Sequence, residues 1–298
     1  MSWAEVSLSI PRELVENAEL VLEELGALAV TLKDSADDPV LEPLPGTAPL
    51  WPDVELRGLF PADVHRGEVS SALLSIPGVD RAEFLSWHDV ADQDWTRAWM
   101  DRFKPMKFGQ GLWIIPTGMA EPDDTEAVLL RLDPGLAFGT GTHPTTALCL
   151  EWIDDFEFTG RTVVDYGCGS GVLGIAAALK GATRVICVDN DPQALEATLA
   201  NAVRNEVSDS ILCQAPEFYR KERADVVLAN ILAGPLIELA PVLLGSLKAG
   251  GRLVLSGILE DQADSVAQAY GAACKRIDVK PLEGWVRLEG MTKALEED

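Results

Sequence analysis

The chain has 298 residues, of which 47% are hydrophobic and 24% are charged. This composition is that of a globular protein with room for two domains, and it excludes an intrinsically disordered chain. The formal net charge is −24 at pH 7, and a surface this acidic repels phosphate backbones and favours basic partners. We therefore expect no direct binding to nucleic acid.

The cysteines and the N-terminal residues indicate the cellular compartment of the protein. Five cysteines are present, an odd number, and they form no Cys-x-x-Cys pair, which indicates reduced thiols rather than a disulfide framework or a zinc site. The first residues lack the basic and apolar regions of a signal peptide. No uninterrupted apolar run approaches the roughly 18 residues of a membrane helix. We expect a cytoplasmic, monomeric protein without a metal site or membrane contact.

Residues 1–88 predict a small α+β domain. Alternating apolar residues predict four strands, and helical apolar stripes that begin at Pro11 and Pro61 predict two helices. The predicted strands are residues 3–10, 27–32, 54–60 and 81–87. The order β-α-β-β-α-β is that of a ferredoxin-like sheet. Because such sheets serve many roles, we expect an accessory domain that recognises a substrate.

Residues 89–103 predict a helix that joins this domain to the next. Trp95, Trp99 and Phe103 recur at helical spacing, and an aromatic stripe of this kind is more often a packing surface than a ligand site. We therefore divide the chain into residues 1–88, a connecting helix and linker over 89–106, and a second domain over 107–298.

The second domain predicts a doubly wound α/β fold. Short strands at 113–116 and 127–132 precede a loop rich in Gly and Thr and then a helix through Leu148. Apolar, β-branched runs then alternate with helical stripes, which is typical of a parallel sheet covered on both faces. The predicted strands of this part are residues 162–165, 184–189, 225–229, 252–256, 275–280 and 285–289. We expect a mostly parallel, Rossmann-like sheet of seven strands with an antiparallel pair at one edge.

A glycine-rich loop follows the strand that ends on Asp165. Gly167, Gly169 and Gly171 allow the backbone to turn sharply and to approach a ligand closely, and the next helix presents its N-terminus there. The segment from Gly169 to Gly174 also matches the Gly-x-Gly-x-x-Gly pattern of dinucleotide-binding proteins.

Asp165 favours S-adenosylmethionine over a dinucleotide as the ligand of this loop. Its carboxylate is placed to bind an ammonium group such as that of the methionine part, whereas beside a pyrophosphate it would cost about 1–3 kcal/mol. A nicotinamide enzyme would also need a catalytic domain downstream of the sheet. Gly167 and Gly169 are therefore predicted cofactor-binding residues.

Two further polar residues stand at predicted strand ends. Asp189 closes the second strand, where a carboxylate can accept both ribose hydroxyls, whereas Asp191 before Pro192 suits a helix cap. Asn230 follows the strand predicted at 225–229, where its amide can orient an attacking amine by hydrogen bonding. An ordinary turn asparagine remains the alternative for Asn230.

The loop at 133–146 contains His143, the histidine best placed for chemistry. A loop rich in Gly and Thr is costly to order unless it folds over a ligand. His143 can act as a general base, but a histidine before proline more often fixes a loop by hydrogen bonding. The other two histidines lack partners at ligand spacing, so no metal site is predicted.

Five segments, in order along the chain, resemble those of the bacterial ribosomal protein L11 methyltransferases, which are class I methyltransferases. The segments at 133–146 and 230–235 are far more specific than the glycine loop, which any methyltransferase of this fold can carry. The five segments read Asp-Pro-Gly-Leu-Ala-Phe-Gly-Thr-Gly-Thr-His-Pro-Thr-Thr (133–146), Asp-Tyr-Gly-Cys-Gly-Ser-Gly (165–171), Asp-Asn-Asp-Pro (189–192), Asn-Ile-Leu-Ala-Gly-Pro (230–235) and Leu-Ser-Gly-Ile-Leu (255–259).

The resemblance implies methyl transfer from S-adenosylmethionine to amino groups of ribosomal protein L11, namely the N-terminal α-amine and lysine side chains, up to trimethylation. It implies cofactor contacts at Thr145, Gly167, Asp189 and Asn230, and we take Asn230 as the catalytic residue. It also implies a mobile N-terminal recognition domain. Tyr166 stands where the family often has Phe.

Three alternative functions remain open on the sequence. A methyltransferase of the same fold could act on a nucleic acid base or a small amine, although the charge and the lack of a long Lys/Arg run oppose a nucleic acid. A nicotinamide-dependent reductase would fit the glycine pattern. A non-catalytic module that binds an adenosyl group is the third.

Overall fold

A computed structural model of the chain describes residues 3–34, 51–79, 85–90, 104–132 and 143–293. The chain divides into two compact units, Met1–Ala98 and Trp99–Asp298. Within the described residues, no helix is both long and apolar enough to span a bilayer. All five cysteines are free thiols, and four of them are buried.

The N-terminal unit is a four-stranded antiparallel sheet with two helices. Its strands are β1 (Trp3–Pro11), β2 (Ala29–Asp34), β3 (Asp53–Pro61) and β4 (Leu85–Val90), and its helices are α1 (Val15–Glu24) and α2 (Arg66–Leu74). The spatial order β2-β3-β1-β4 is the ferredoxin-like order that the sequence predicted. Alternate residues of β1 and β3 and one stripe of each helix form its buried core.

The fourth strand of this unit differs from the prediction. It runs over Leu85–Val90, so Asp89 and Val90, which were assigned to the connecting helix, are strand residues. They pair with Ala4 and Trp3 of β1, and these ladder hydrogen bonds outweigh the local helical pattern. The rest of that predicted helix, residues 91–103, lies outside the described residues.

The second unit is built on a seven-stranded sheet. Its order is β10-β9-β8-β11-β12-β14-β13, in which only β14 runs antiparallel to its neighbours. The strands are β8 (Thr162–Tyr166), β9 (Arg184–Val188), β10 (Ile211–Gln214), β11 (Ala224–Asn230), β12 (Leu247–Leu259), β13 (Cys274–Leu282) and β14 (Trp285–Thr292). The predicted α/β fold and its antiparallel edge pair are confirmed.

Helices cover both faces of this sheet. They are α3 (Pro144–Asp155), α4 (Val172–Leu179), α5 (Pro192–Arg204), α6 (Ala233–Glu238), α7 (Ala240–Gly245) and α8 (Ala263–Gly271). Successive strand residues point to opposite faces, so Val163 packs with the core on the α3 side and Val164 with the core on the other side. Val226 and Leu228 pack in the core on the α3 side. Asn230 is two residues after Leu228 on the same strand, so it belongs to the same face of the sheet.

Three elements of this unit differ from the sequence prediction. Strand β10 was not predicted, and β5 (Met106–Phe108), which joins β6 (Leu112–Ile115) and β7 (Val128–Arg131) in a small sheet, was also missed. The helix predicted over 235–247 is two helices, α6 and α7. Pro241 has no N–H to donate to the carbonyl four residues earlier, so the helix breaks at Leu239.

A buried carboxylate ties the small sheet to α3 and α4. Asp154 Oδ2 accepts hydrogen bonds from the backbone N–H groups of Gln110 (2.5 Å) and Gly111 (3.0 Å), and Oδ1 lies 3.2 Å from Lys180 Nζ. Burial alone raises the pKa of Asp154, but the two N–H donors and Lys180 lower it below its usual value. The stabilisation is therefore present above about pH 4 and is lost as the pH falls through the lowered pKa.

We expect Asp154→Ala to destabilise the protein by about 2–4 kcal/mol, because it leaves two N–H donors and a half-buried lysine without their acceptor. The measurement is the free energy of unfolding in urea at neutral pH. The control is Asp155→Ala, which removes an exposed carboxylate from the next position and should cost less than about 0.5 kcal/mol. Equal losses for the two variants would contradict the role of Asp154.

Candidate active site

The glycine loop between β8 and α4 is held in a left-handed conformation. Gly167, Gly169 and Gly171 have φ angles of +75°, +54° and +79°, which side chains rarely tolerate. A Cβ at Gly171 would lie 2.7 Å from Thr198 Cγ2, and one at Gly167 would collide with Ile231 Cγ2. The loop therefore needs glycine for its backbone angles and also for its packing.

Asp165, directly before this loop, is buried with one oxygen unpaired. Its exposed fraction is 1%, Oδ2 accepts the N–H of Gly174 at 2.8 Å, and Oδ1 has no protein partner. Burial raises the pKa of Asp165 to about 7, while the Gly174 N–H lowers the pKa and nearby Asp189 raises it. Asp165 was predicted to bind an ammonium group. Its Oδ2 holds the first turn of α4, and its Oδ1 is free to accept from a cationic group.

Asp189 follows β9 and is fixed by backbone donors. Oδ2 accepts the N–H of Gly169 at 2.9 Å, and Oδ1 accepts the N–H of Asp191 at 3.0 Å. An ionised carboxylate has about four acceptor positions, so about two remain for a ligand. Asp191 caps α5 by accepting the N–H of Gln193 at 2.9 Å, as the sequence predicted.

His143 caps the N-terminus of α3. Its Nδ1 accepts the N–H of Thr145 at 3.3 Å and lies 2.8 Å from Thr145 Oγ1. Its ring meets Trp285 of β14 edge-on, with 4.8 Å between centroids. Burial lowers the pKa of His143, which keeps the ring neutral at pH 7. The sequence favoured a histidine that fixes the loop by hydrogen bonding, and this role is confirmed for Nδ1. The hydroxyl of Thr145 takes part in the same cap.

Asn230 ends β11 and reaches the first turn of α3. Its Nδ2 donates to Thr146 Oγ1 at 3.3 Å. The following residue, Ile231, packs where Gly167 has no side chain, and the backbone of Ile231 lies so close to Gly257 of β12 that a Cβ there would collide with its carbonyl oxygen. Asn230 is thus linked by contacts to both the glycine loop and α3.

The structure brings most of the predicted site residues to one edge of the sheet. Gly167, Gly169, Asp189 and Asn230 follow β8, β9 and β11, which are neighbours in the sheet. The carboxyl ends of such strands form the ligand crevice of a doubly wound sheet. Their contact with a cofactor stays a prediction, as does that of Thr145. No cluster of potential metal ligands is found among the described residues.

Sequence reasoning missed several residues of this site. Thr146, Ile231, Gly257 and Trp285 are joined to it only by contacts between distant segments. Gly257 lies in one of the segments that carried the resemblance, and its φ of +85° explains why that segment needs a glycine. Residues 133–142 of the Gly/Thr-rich loop lie outside the described residues.

Comparison with known proteins gives consistent results over the whole chain. Residues 2–293 match the family model described as "Ribosomal protein L11 methyltransferase (PrmA)". The ribosomal protein L11 methyltransferase of Methylococcus capsulatus is 48% identical over 98% of this chain and 99% of its own length. That of Pseudomonas aeruginosa (strain PAO1) is 49% identical over 99% of this chain and 100% of its own length.

A solved structure supports the fold over part of the chain. The crystal structure of ribosomal protein L11 methylase from Lactobacillus delbrueckii subsp. bulgaricus superposes with a TM-score of 0.59 at 32% identity. The match covers 64% of this chain and 100% of that chain.

We expect Asp165→Asn to gain stability relative to the wild type as the pH rises from about 4 to about 8. The folded pKa of about 7 lies above the ordinary value of 3.8, so the folded wild type keeps a proton that the unfolded chain loses, and its stability falls across this interval. Asparagine does not titrate, and its carbonyl oxygen can still accept the Gly174 N–H.

The measurement is the difference in Tm between variant and wild type at about pH 5 and about pH 8, without cofactor. Asp209→Asn, at an exposed position, controls for the loss of one negative charge. A difference in Tm that is independent of pH, or that matches the control, would show that burial does not raise the pKa of Asp165.

Proposed function

The chain belongs to the ribosomal protein L11 methyltransferase family, and on this basis we propose that it transfers methyl groups from S-adenosylmethionine to amino groups of ribosomal protein L11. The observation that carries the proposal is the meeting of a glycine loop, a fixed carboxylate and an amide at the ends of β8, β9 and β11. In-line displacement requires donor and acceptor to be held together, and this crevice offers a site for each.

The residues at the strand ends fit S-adenosylmethionine. Asp189 keeps acceptor positions for a ribose diol, and the glycine loop, with its positive φ angles, allows a close approach between its backbone and the rest of the molecule. The unpaired Oδ1 of Asp165 is a buried acceptor, and the ionised form of this carboxyl favours a cationic ligand. When bound, the cofactor supplies a methyl group on a positively charged sulfur.

Asn230 is the residue that we propose contacts the acceptor amine. With Nδ2 engaged by Thr146, its Oδ1 can accept an N–H of the amine and so direct the nitrogen lone pair at the methyl carbon. A lysine amine has an ordinary pKa of about 10.4 and must lose a proton before attack. Desolvation in the crevice lowers that pKa, and we propose that water takes the proton. His143 is not assigned as the base, because its Nδ1 is used in the cap.

The charge distribution supports a basic protein as substrate. Residues 1–98 contain nineteen Asp and Glu against six Lys and Arg, whereas the remaining 200 residues contain twenty-nine against eighteen. More than half of the net negative charge thus lies in a third of the chain. Such a surface attracts a basic partner and speeds its association.

We accordingly propose that residues 1–90, which end with β4, recognise the substrate, that residues 91–105 form the connection, and that residues 106–298, which begin with β5, contain the cofactor site. We further propose that the protein acts as a monomer in the cytoplasm and binds neither nucleic acid nor membrane.

We expect Asp189→Ala to weaken S-adenosylmethionine binding by on the order of a hundredfold, because two hydrogen bonds from the ribose to a charged acceptor are lost. Calorimetric titration measures the affinity. Transfer of labelled methyl groups to purified, unmethylated ribosomal protein L11 should fall in parallel at subsaturating cofactor.

The matched control is Asp191→Ala, two residues away. Asp191 only caps α5, so this variant should lose about 1 kcal/mol of stability and keep its cofactor affinity. An Asp189 variant that binds the cofactor normally would remove Asp189 from the site. A wild type that binds the cofactor but does not label ribosomal protein L11 would refute the substrate assignment.

A further inference from the structure

The contact between Thr146 and Asn230 joins two segments that are 84 residues apart in the chain. Thr146 is 2% exposed and lies in the first turn of α3, where its backbone N–H donates to His143 O at 3.0 Å. Pro144 occupies the start of the same helix and fixes its first φ angle. The β-branched side chain of Thr146 has few rotamers on this turn, and in the rotamer present its hydroxyl oxygen accepts the Asn230 amide.

The Nδ2 end of the Asn230 amide makes this contact, which leaves the Oδ1 end for the crevice. An asparagine amide has an N–H₂ donor at one end and a carbonyl acceptor at the other. Nδ2 is directed to Thr146, so Oδ1 points away from it. An attacking amine needs acceptors for its N–H groups and a lone pair free for the methyl carbon. A reversed amide would present donors to that amine.

The backbone of Asn230 is held independently of Thr146. Ile231 fits against the bare backbone of Gly167 on one side, and Gly257 approaches the backbone of Ile231 on the other. In the sheet, Asn230 is also in register with Ser256 of β12. The freedom left to Asn230 is therefore rotation of its side chain, and the hydrogen bond to Thr146 opposes this rotation.

We propose that Thr146 is a positioning residue for methyl transfer, which orients the Asn230 amide so that Oδ1 faces the acceptor amine. This inference rests on the proposed function. It assigns to Thr146 a role separate from that of the neighbouring Thr145, whose hydroxyl lies 2.8 Å from His143 Nδ1. In this role Thr146 acts through its contact with Asn230.

A double-mutant cycle tests the proposal. Thr146→Val keeps the shape of the side chain and removes the acceptor, and we expect it to lower kcat about five- to tenfold while leaving the cofactor Kd within about twofold of the wild type. Thr146→Ser restores the hydroxyl and should recover most of the loss. In an Asn230→Ala background, Thr146→Val should have no further effect. Equal losses for Val and Ser, or an undiminished effect of Val in that background, would overturn the proposal.

A readout that needs no substrate separates this proposal from the proposed function. Selective ¹⁵N labelling of asparagine gives side-chain NH₂ signals, and the Asn230 signal is identified by its loss in Asn230→Ala. We expect Thr146→Val to shift this signal and speed its hydrogen exchange, and Thr146→Ser to leave both near wild type. An unchanged signal in Thr146→Val contradicts the positioning role even if the enzyme methylates ribosomal protein L11. A changed signal supports it even if the natural acceptor is another amine.

Discussion

The chain turns sharply between β8 and α4, and this turn determines where the other residues of the site lie. Three glycines with positive φ make this turn, and each part of the loop then holds a different neighbour. The N–H of Gly169 fixes Asp189 after β9, and the bare backbone of Gly167 receives Ile231 after β11. A side chain at Gly167 would displace Ile231, which follows the neighbouring strand β11, so the loop constrains the arrangement of the crevice.

The same turn explains the unusual state of Asp165. The Gly174 N–H that it accepts belongs to the first turn of α4, and the helix begins so soon after β8 that the carboxylate is covered by protein. The site thus contains a buried acceptor that is not satisfied within the protein. Such a group costs stability in the free protein, and a cationic ligand reduces that cost when it binds. The unsatisfied carboxylate of Asp165 is therefore explained by ligand binding and not by poor packing.

Local signals predicted much of this architecture. The alternation of apolar strands and helical stripes gave the fold of both units, and strand ends marked by Asp165, Asp189 and Asn230 located the crevice. The start of α5 at Pro192 and its cap at Asp191 were also readable, because both depend on neighbours within a few residues. The helix start predicted at Pro61 was wrong, since Pro61 ends β3 and α2 begins at Arg66. The short strand β10, with four residues and no clear alternation, carried too weak a signal.

Contacts between distant segments could not be predicted in the same way. The pairing of Asn230 with Thr146, the fit of Ile231 between two glycines, and the meeting of His143 with Trp285 depend on how the elements pack. The ladder of β4 with β1 likewise overrode a local helical pattern at Asp89 and Val90. In each case the two contacting residues lie on different elements, so no short segment of the sequence contains both of them.

The central claim is that the carboxyl ends of β8, β9 and β11 form one cofactor site. Backbone ¹H–¹⁵N spectra of the full chain, recorded during titration with S-adenosylhomocysteine, test it directly. We expect the largest shifts at Gly167, Gly169, the residues around Asp189 and Ile231, and little change in the N-terminal sheet. Shifts confined to the N-terminal unit, or absent at saturating ligand, would contradict it.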